Sequence, residues 1–286
     1  MKQLSDLPSD IDALFFTGTT VSEEALQLFA KNVTDILRDR LTPKKDEPPK
    51  LRMSKLGTPN LKLWYEHHFP LPREQSKNGL KFCYGDIIEQ LILFLAKAAG
   101  HTVEDEQKEF EIDGIKGHQD ARVDGVVVDV KSASSYAFRK FSERTIFKDD
   151  PFGYIAQLSA YAHANGVDTA SFIGVNKENG EICILPLQEI DLIHAPTRVA
   201  EVKALAAPSA PKPTQKCYTD VQFKTSDNKT LSKNCGYCPY NKDCWKDSNG
   251  GKGLRYFQYA NEVVALTEVN TLPRVEEINV PITEEA

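Results

Sequence analysis

Long apolar runs are missing from this chain of 286 residues. The longest, Leu91 to Ala96, falls far short of the roughly 18 residues a membrane-spanning helix needs, so no such helix is expected. The first ten residues, MKQLSDLPSD, lack the apolar core of a secretion signal, and a cytoplasmic location is the expectation. Positive charge is in deficit: 35 Lys+Arg stand against 41 Asp+Glu, a net charge of -6, which argues against a protein that coats nucleic acid. Internal repeats and low-complexity tracts are absent. Cysteine is sparse, with 6 in the chain, and in a reducing compartment that excludes a disulfide framework. What remains, 41% hydrophobic and 27% charged residues, suits a globular protein that buries a core without staples.

The elements follow from periodicity. Val21, Ala25, Leu28, Phe29, Val33, Ile36 and Leu37 recur at helical spacing over residues 21–41, with Thr20 as a candidate cap. TPKKDEPPKLRMSK reads as a basic surface arm, and DIIEQLILFLAKAAG as a buried helix closed by Gly100. Strands are expected over 102–112, 115–123 and 126–132, a helix after Pro151, strands over 168–176 and 181–186, and a helix over about 187–206. The core order is therefore α-β-β-β-α-β-β, an α/β fold with a mixed sheet. Four segments result: 1–80, an N-terminal helical region and basic arm; 81–207, the core; 208–258, a cysteine-rich segment; and 259–286, an acidic tail.

Asp124-Gly125 is a strong two-residue hairpin signal. If Val123 pairs with Val126, Asp120 lies opposite Asp129 and His118 opposite Lys131, and these four share one face. Ala121, Val123, Val126, Val128 and Val130 form the apolar face. Two carboxylates opposed across a strand pair repel, and a divalent cation between them removes that objection. Hard oxygen ligands suit Mg²⁺ or Mn²⁺, which clamp phosphate oxygens, while a nearby lysine stabilises developing negative charge.

These residues resemble the PD-(D/E)XK nuclease superfamily: GHQD-(x8)-DVK places Asp120, Asp129 and Lys131 in its motif. Gly85-x3-Glu89 on the preceding helix and Gln157-x3-Tyr161 on the following one are similar to elements of its RecB-like branch. The resemblance implies a restriction-endonuclease-like α-β-β-β-α-β core and a Mg²⁺- or Mn²⁺-dependent deoxyribonuclease. Glu89, Asp120, Asp129 and the Val130 carbonyl would bind the metal, Lys131 would assist attack on the phosphodiester, and Gln157 and Tyr161 would position the DNA strand or the lysine. His118 is either an accessory residue or a plain strand histidine; His67 and His68 are read as non-ligands.

Cys235-x2-Cys238-x5-Cys244 has the spacing of the iron–sulfur exonucleases in that branch, which includes CRISPR-adaptation exonucleases. The resemblance implies a [4Fe-4S] cluster, with Zn²⁺ as the alternative, since four thiolates suit either. Cys217 is the expected fourth ligand and Cys83 the reserve; Cys183 reads as a small buried hydrophobe. Stretches between residues 51 and 258 also resemble exonucleases of tailed bacteriophages, which implies a role in phage DNA processing, recombination or degradation in a host cytoplasm.

Charge is uneven along the chain. Residues 212–256 hold nine Lys+Arg against four Asp, whereas 257–286 hold six Glu and one Arg. The arm from Arg38 to Lys55, and Arg139, Lys140 and Arg144, are candidate phosphate contacts; Trp64, Tyr65, Tyr237 and Trp245 are candidate base-stacking groups, with core packing around the metal an equal reading for Trp245. The expected partner is DNA, single-stranded or at duplex ends. A homo-oligomer or a recombination protein partner is left open, as are a catalytically inactive nucleic-acid-binding module and a site-specific endonuclease of the same fold.

Overall fold

The structure is a computed structural model and describes residues 2–43, 48–71 and 79–279. Lys44, Lys45, Asp46 and Glu47 of the basic arm, and residues 280–286 of the acidic tail, lie outside the described residues. The chain forms two compact units, one of Met1–Thr58 with Pro70–Ala207 and the other of Pro59–Phe69 with Pro208–Ala286. Helix α3, within the expected N-terminal region, belongs with the C-terminal unit, and the expected acidic tail carries strands.

In chain order the elements are α1 (Leu7–Thr17), α2 (Glu23–Leu41), α3 (Asn60–His68), α4 (Gly79–Ala98), β1 (Val103–Glu104), β2 (Glu109–Ile112), β3 (Ile115–His118), β4 (Ala121–Val123) and β5 (Val126–Ala133). Then follow α5 (Ser135–Ser142), α6 (Tyr154–Ala164), β6 (Ala170–Asn176), β7 (Ile182–Leu187) and α7 (Ala195–Ala206). Helix α2 is capped by Ser22 and not by Thr20: the Ser22 hydroxyl accepts from the Ala25 N–H at 3.2 Å.

The first unit is built on a five-stranded mixed sheet in the order β1-β4-β5-β6-β7. Only β5 and β6 run parallel. The connection between them carries α5 and α6, as a parallel crossover requires. Asp124 and Gly125 both have positive φ, 50° and 83°, the conformation of a type I′ turn, and Val123 pairs with Val126 as the turn chemistry demands. The apolar face is the expected one: Ala121, Val123, Val128 and Val130 pack with Ile173 and Val175 against Leu7 and Ile11 of α1 and Ile92, Leu93 and Ala96 of α4. The opposite face carries Asp129, Phe172 and the packing of α5 and α6.

Two strand expectations are corrected. The segment 102–112 is broken because Asp105 and Gln107 both adopt left-handed backbone, φ 52° each. The segment 115–123 breaks at Gln119-Asp120, where the chain changes partner. Up to His118 it pairs with β2, and from Ala121 it pairs with β5. His118 therefore lies opposite Glu109, not Lys131, and is exposed with its ring 3.6 Å from that carboxylate. Asp120 stands one step beyond the last ladder pair, Ala121–Val128.

In the second unit, β8 (Val221–Gln222), β9 (Lys229–Thr230), α8 (Lys233–Gly236), α9 (Asn241–Cys244), β10 (Arg255–Gln258), β11 (Val263–Glu268) and β12 (Glu277–Ile278) follow one another. The strands form an antiparallel sheet in the order β12-β10-β11-β9-β8, closed over Phe223, Phe257, Val264 and Leu266. No helix among the described residues is long and apolar enough to cross a membrane.

Candidate active site

Glu89 on α4, Asp120 before β4, Asp129 and Lys131 on β5, and Gln157 and Tyr161 on α6 meet in the first unit. Asp129 is wholly enclosed. The Lys131 ammonium lies 2.6 Å from Asp129 Oδ2 and forms an ion pair with it. Asp120 is also buried, and its Oδ2 accepts the Val130 N–H at 2.7 Å. The backbone of the strand carrying Asp129 thus fixes the second carboxylate.

Electrostatics follow from this crowding. Burial, then the charges of Asp129 and Glu89, hold Asp120 well above the ordinary carboxylate range. Burial likewise raises Asp129 against the opposing pull of Lys131. Glu89 is pushed up to about 7 by burial and then by Asp129. Burial alone would lower the Lys131 ammonium, but Asp129 and Asp120 outweigh it and the net shift is upward. Lys131 is therefore a fixed cation and not a proton acceptor near neutral pH.

The lysine is held from its far side by α6. Its ammonium reaches Gln157 Oε1 at 3.5 Å and sits 4.7 Å from the centre of the Tyr154 ring. Burial pushes the hydroxyl of the buried Tyr161 up to about 12, against the opposing pull of Gln157. The i, i+4 spacing puts Gln157 and Tyr161 on one helix face, so one element orients the lysine through two residues.

Three residues of this site carried no sequence motif. Gln107 joins two carboxylate-bearing segments: its Nε2 donates to Glu89 Oε1 at 2.6 Å, and its N–H donates to the Asp120 carbonyl at 3.1 Å. Asp150 raises Asp129 by its charge, while its own oxygens accept the N–H groups of Tyr154 and Ile155 at 3.0 and 2.9 Å and cap α6. Tyr154 lies under the lysine. An Asp before the Pro151 helix could have suggested the cap; nothing local marks Gln107, because its partner lies 18 residues away.

Arg139 is exposed, whereas Lys140 pairs with Asp149, and Arg144 donates to the Pro186 carbonyl at 3.3 Å and lies 3.7 Å from Asp191. Arg40 of the basic arm is engaged by both oxygens of Asp86, at 2.5 and 2.8 Å.

In the second unit, Cys217, Cys238 and Cys244 pack against Leu61, Trp64, Tyr65 and Tyr240, and Cys235 is buried. None of the four is disulfide-bonded. Burial first, and then the other thiols, raise Cys217 and Cys244, the latter to about 11, so the four sulfurs lie within electrostatic reach of one another. Trp64, Tyr65 and Trp245, expected as base-stacking candidates, are buried: Trp64 donates to the Ala210 carbonyl at 2.9 Å, and Tyr65 stacks on Tyr240 with centroids 5.2 Å apart. Of the four aromatics only Tyr237 is exposed. Cys83 lies on α4, and Cys183 on β7 sits against Gly174, its thiol pushed up to about 11 by burial.

Among the described residues, no group of three or more His, Cys, Asp or Glu side chains is already drawn together closely enough to hold a metal ion. The donor chemistry at the carboxylates nevertheless fits a hard divalent cation: the buried Asp129, paired with Lys131, sits beside two further carboxylates whose charge is disfavoured. The four thiols fit a thiolate-bound metal by donor type and grouping.

The chain matches no protein-family model and no curated protein. Among solved structures it is similar to the protein SSO0001, at 16% identity and a TM-score of 0.38, over 74% of this chain and 94% of that one. It is similar to a phage related exonuclease from Haemophilus somnus 129PT at 14% identity and a TM-score of 0.39, over 57% of this chain and 93% of that one. An alkaline exonuclease from Laribacter hongkongensis aligns at 12% identity and a TM-score of 0.35, over 60% of this chain and 90% of that one. At these scores the likeness is loose and assigns neither a family nor an activity.

Proposed function

We propose that the chain is a divalent-metal-dependent deoxyribonuclease that hydrolyses phosphodiester bonds as an exonuclease, in phage DNA processing, recombination or degradation. The observation that carries this reading is the gathering of three carboxylates, the buried Asp129 and Asp120 together with Glu89, around the single ammonium of Lys131, which lies 2.6 Å from Asp129 Oδ2. One ammonium offsets only one of the three carboxylates, and a purely structural site has no reason to keep the uncompensated buried negative charge, which is costly. Asp129, Asp120 and Glu89, with the Val130 carbonyl, would hold Mg²⁺ or Mn²⁺, which supplies Lewis-acid charge to the phosphate. Val130 contributes in a second way, since its N–H fixes the Asp120 carboxylate.

The chain's own residues do the rest. The Lys131 ammonium stabilises the negative charge that develops on the phosphate oxygens. Gln157 and Tyr154 keep that ammonium from swinging away. Gln107 keeps Glu89 and the Asp120 backbone in one frame. In the second unit, Cys217, Cys235, Cys238 and Cys244 would hold a [4Fe-4S] cluster, with Zn²⁺ as the alternative, in a structural role.

Asp129→Asn tests the reading. The variant is expected to lose cleavage of linear DNA in Mn²⁺ by at least about a thousandfold, the order that loss of an electrostatic catalytic group costs, while keeping its far-UV circular dichroism. Wild-type protein that leaves linear and single-stranded DNA intact in both Mg²⁺ and Mn²⁺ would sink it.

A further inference from the structure

Phe152 is 66% exposed, yet it is not a loose surface ring. It stacks on Tyr154, centroids 5.4 Å apart and planes 24° off parallel, and Tyr154 in turn stacks on Phe141 at 6.3 Å and 26°. The column therefore runs from the buried Phe141 to solvent, with the Lys131 ammonium 4.7 Å from the centre of its middle ring. A single exposed aromatic needs no explanation; one that ends a stacked column beside a buried lysine and carboxylate is a different object.

The loop that presents Phe152 is tied down at both ends. Asp150 accepts two helix N–H groups with its two oxygens. Gly153 has φ +74° and meets the backbone of Gly57 so closely that a Cβ on Gly153 would come within 2.2 Å of the Gly57 Cα. Pro151 fixes its own φ beside them. The ring is thus held in place before anything binds, and little conformational entropy remains to be lost there. Of the loop's two carboxylates, Asp149 is paired with Lys140 and Asp150 faces the N–H groups of Tyr154 and Ile155.

We infer that Phe152 is a stacking platform for an unpaired nucleobase next to the phosphate engaged at Lys131, which makes single-stranded or frayed ends the substrate of this site. The inference rests on the nuclease reading and names its substrate class. A flat apolar ring accepts the face of any base, so the platform adds affinity without reading sequence. Phe152 acts as a positioning residue and takes no part in the bond-breaking step.

The test compares oligo(dT) with an equally long abasic phosphodiester oligomer, which offers the same charge and no bases. Wild-type protein is expected to cleave oligo(dT) with a kcat/KM roughly tenfold to a hundredfold higher, the range of base–aromatic stacking. Phe152→Ala is expected to collapse that ratio towards one, mainly through KM, and Phe152→Trp to restore it. A ratio unchanged in Phe152→Ala overturns the inference, as does an equal fall on both oligomers, which would mark a structural role. Tryptophan fluorescence of Phe152→Trp in EDTA separates the two readings. If wild-type protein cleaves neither oligomer but oligo(dT) alone quenches the variant beyond the wild-type signal, the platform stands and the nuclease reading fails. If neither cleavage nor quenching occurs, both fail.

Discussion

A carboxylate crowded by other carboxylates stays ionised only at a cost, and Glu89 shows which way that cost acts. Its pKa rises from an ordinary 4.5 to about 7, because burial and the Asp129 charge disfavour ionisation more than the Gln107 hydrogen bond favours it. Between those values the folded chain keeps a proton that the unfolded chain releases, so metal-free stability falls as pH rises through the window and stays low above it. Glu89→Gln keeps the shape and the Gln107 contact and removes the charge. Thermal melts in EDTA should show the variant more stable than wild type by about 1–3 kcal/mol at pH 8, since each tenfold change in proton affinity is worth ~1.4 kcal/mol, with the gap closing near pH 5. Equal stability at pH 8 would contradict the burial argument. At this scale the residue types were legible in sequence, whereas the roles of Gln107, Asp150 and Tyr154 were not, because each depends on a partner brought near only by folding.

At the scale of elements, β3 and α6 are locked through a position without a side chain. A Cβ on Gly117 would come within 2.7 Å of Met53 Cβ and 2.9 Å of the Tyr161 hydroxyl, and both of those residues are buried. Gly117→Ala is expected to destabilise the protein by about 1–3 kcal/mol, the usual cost of overpacking, and to lower activity by moving Tyr161 and hence Gln157. Urea denaturation measures the first effect, and an unchanged midpoint would refute the close approach. The hairpin register was legible, since Asp124-Gly125 dictates it locally. The partner switch at Gln119-Asp120 was not. It arises from the buried Gln119 side chain, held by Asn165 at 2.9 Å, and from left-handed backbone at Asp105 and Gln107, non-glycine positions where no pattern announces it. Helix α5 was not legible either, its two buried phenylalanines being too few for a clear period.

At the scale of the whole molecule, the division into units follows chain return and not sequence order. Helix α3 joins a unit otherwise built from residues 208–286, where Trp64 and Tyr65 line the cysteine cluster. Protein purified without oxygen is expected to be brown, with iron bound, or colourless with zinc; Cys235→Ser should lose the metal and become sensitive to protease within 208–279. Wild-type protein carrying neither metal would refute a metal-holding role for these thiols. The net charge of -6 is likewise a sum over unlike parts, including the three carboxylates of the candidate site.

The sequence by itself determined what local chemistry controls: the Asp124-Gly125 turn, the apolar face of the sheet, the helices bearing Glu89 and Gln157, and the grouping of four cysteines. Only the tertiary structure decided which of these meet. His118 moves away with β2, Asp120 is turned onto the Val130 N–H, and Trp64 and Tyr65 go inside instead of facing a ligand. Turn residues and side-chain periodicity act over a few positions, whereas burial and partner choice depend on contacts between segments far apart in the chain.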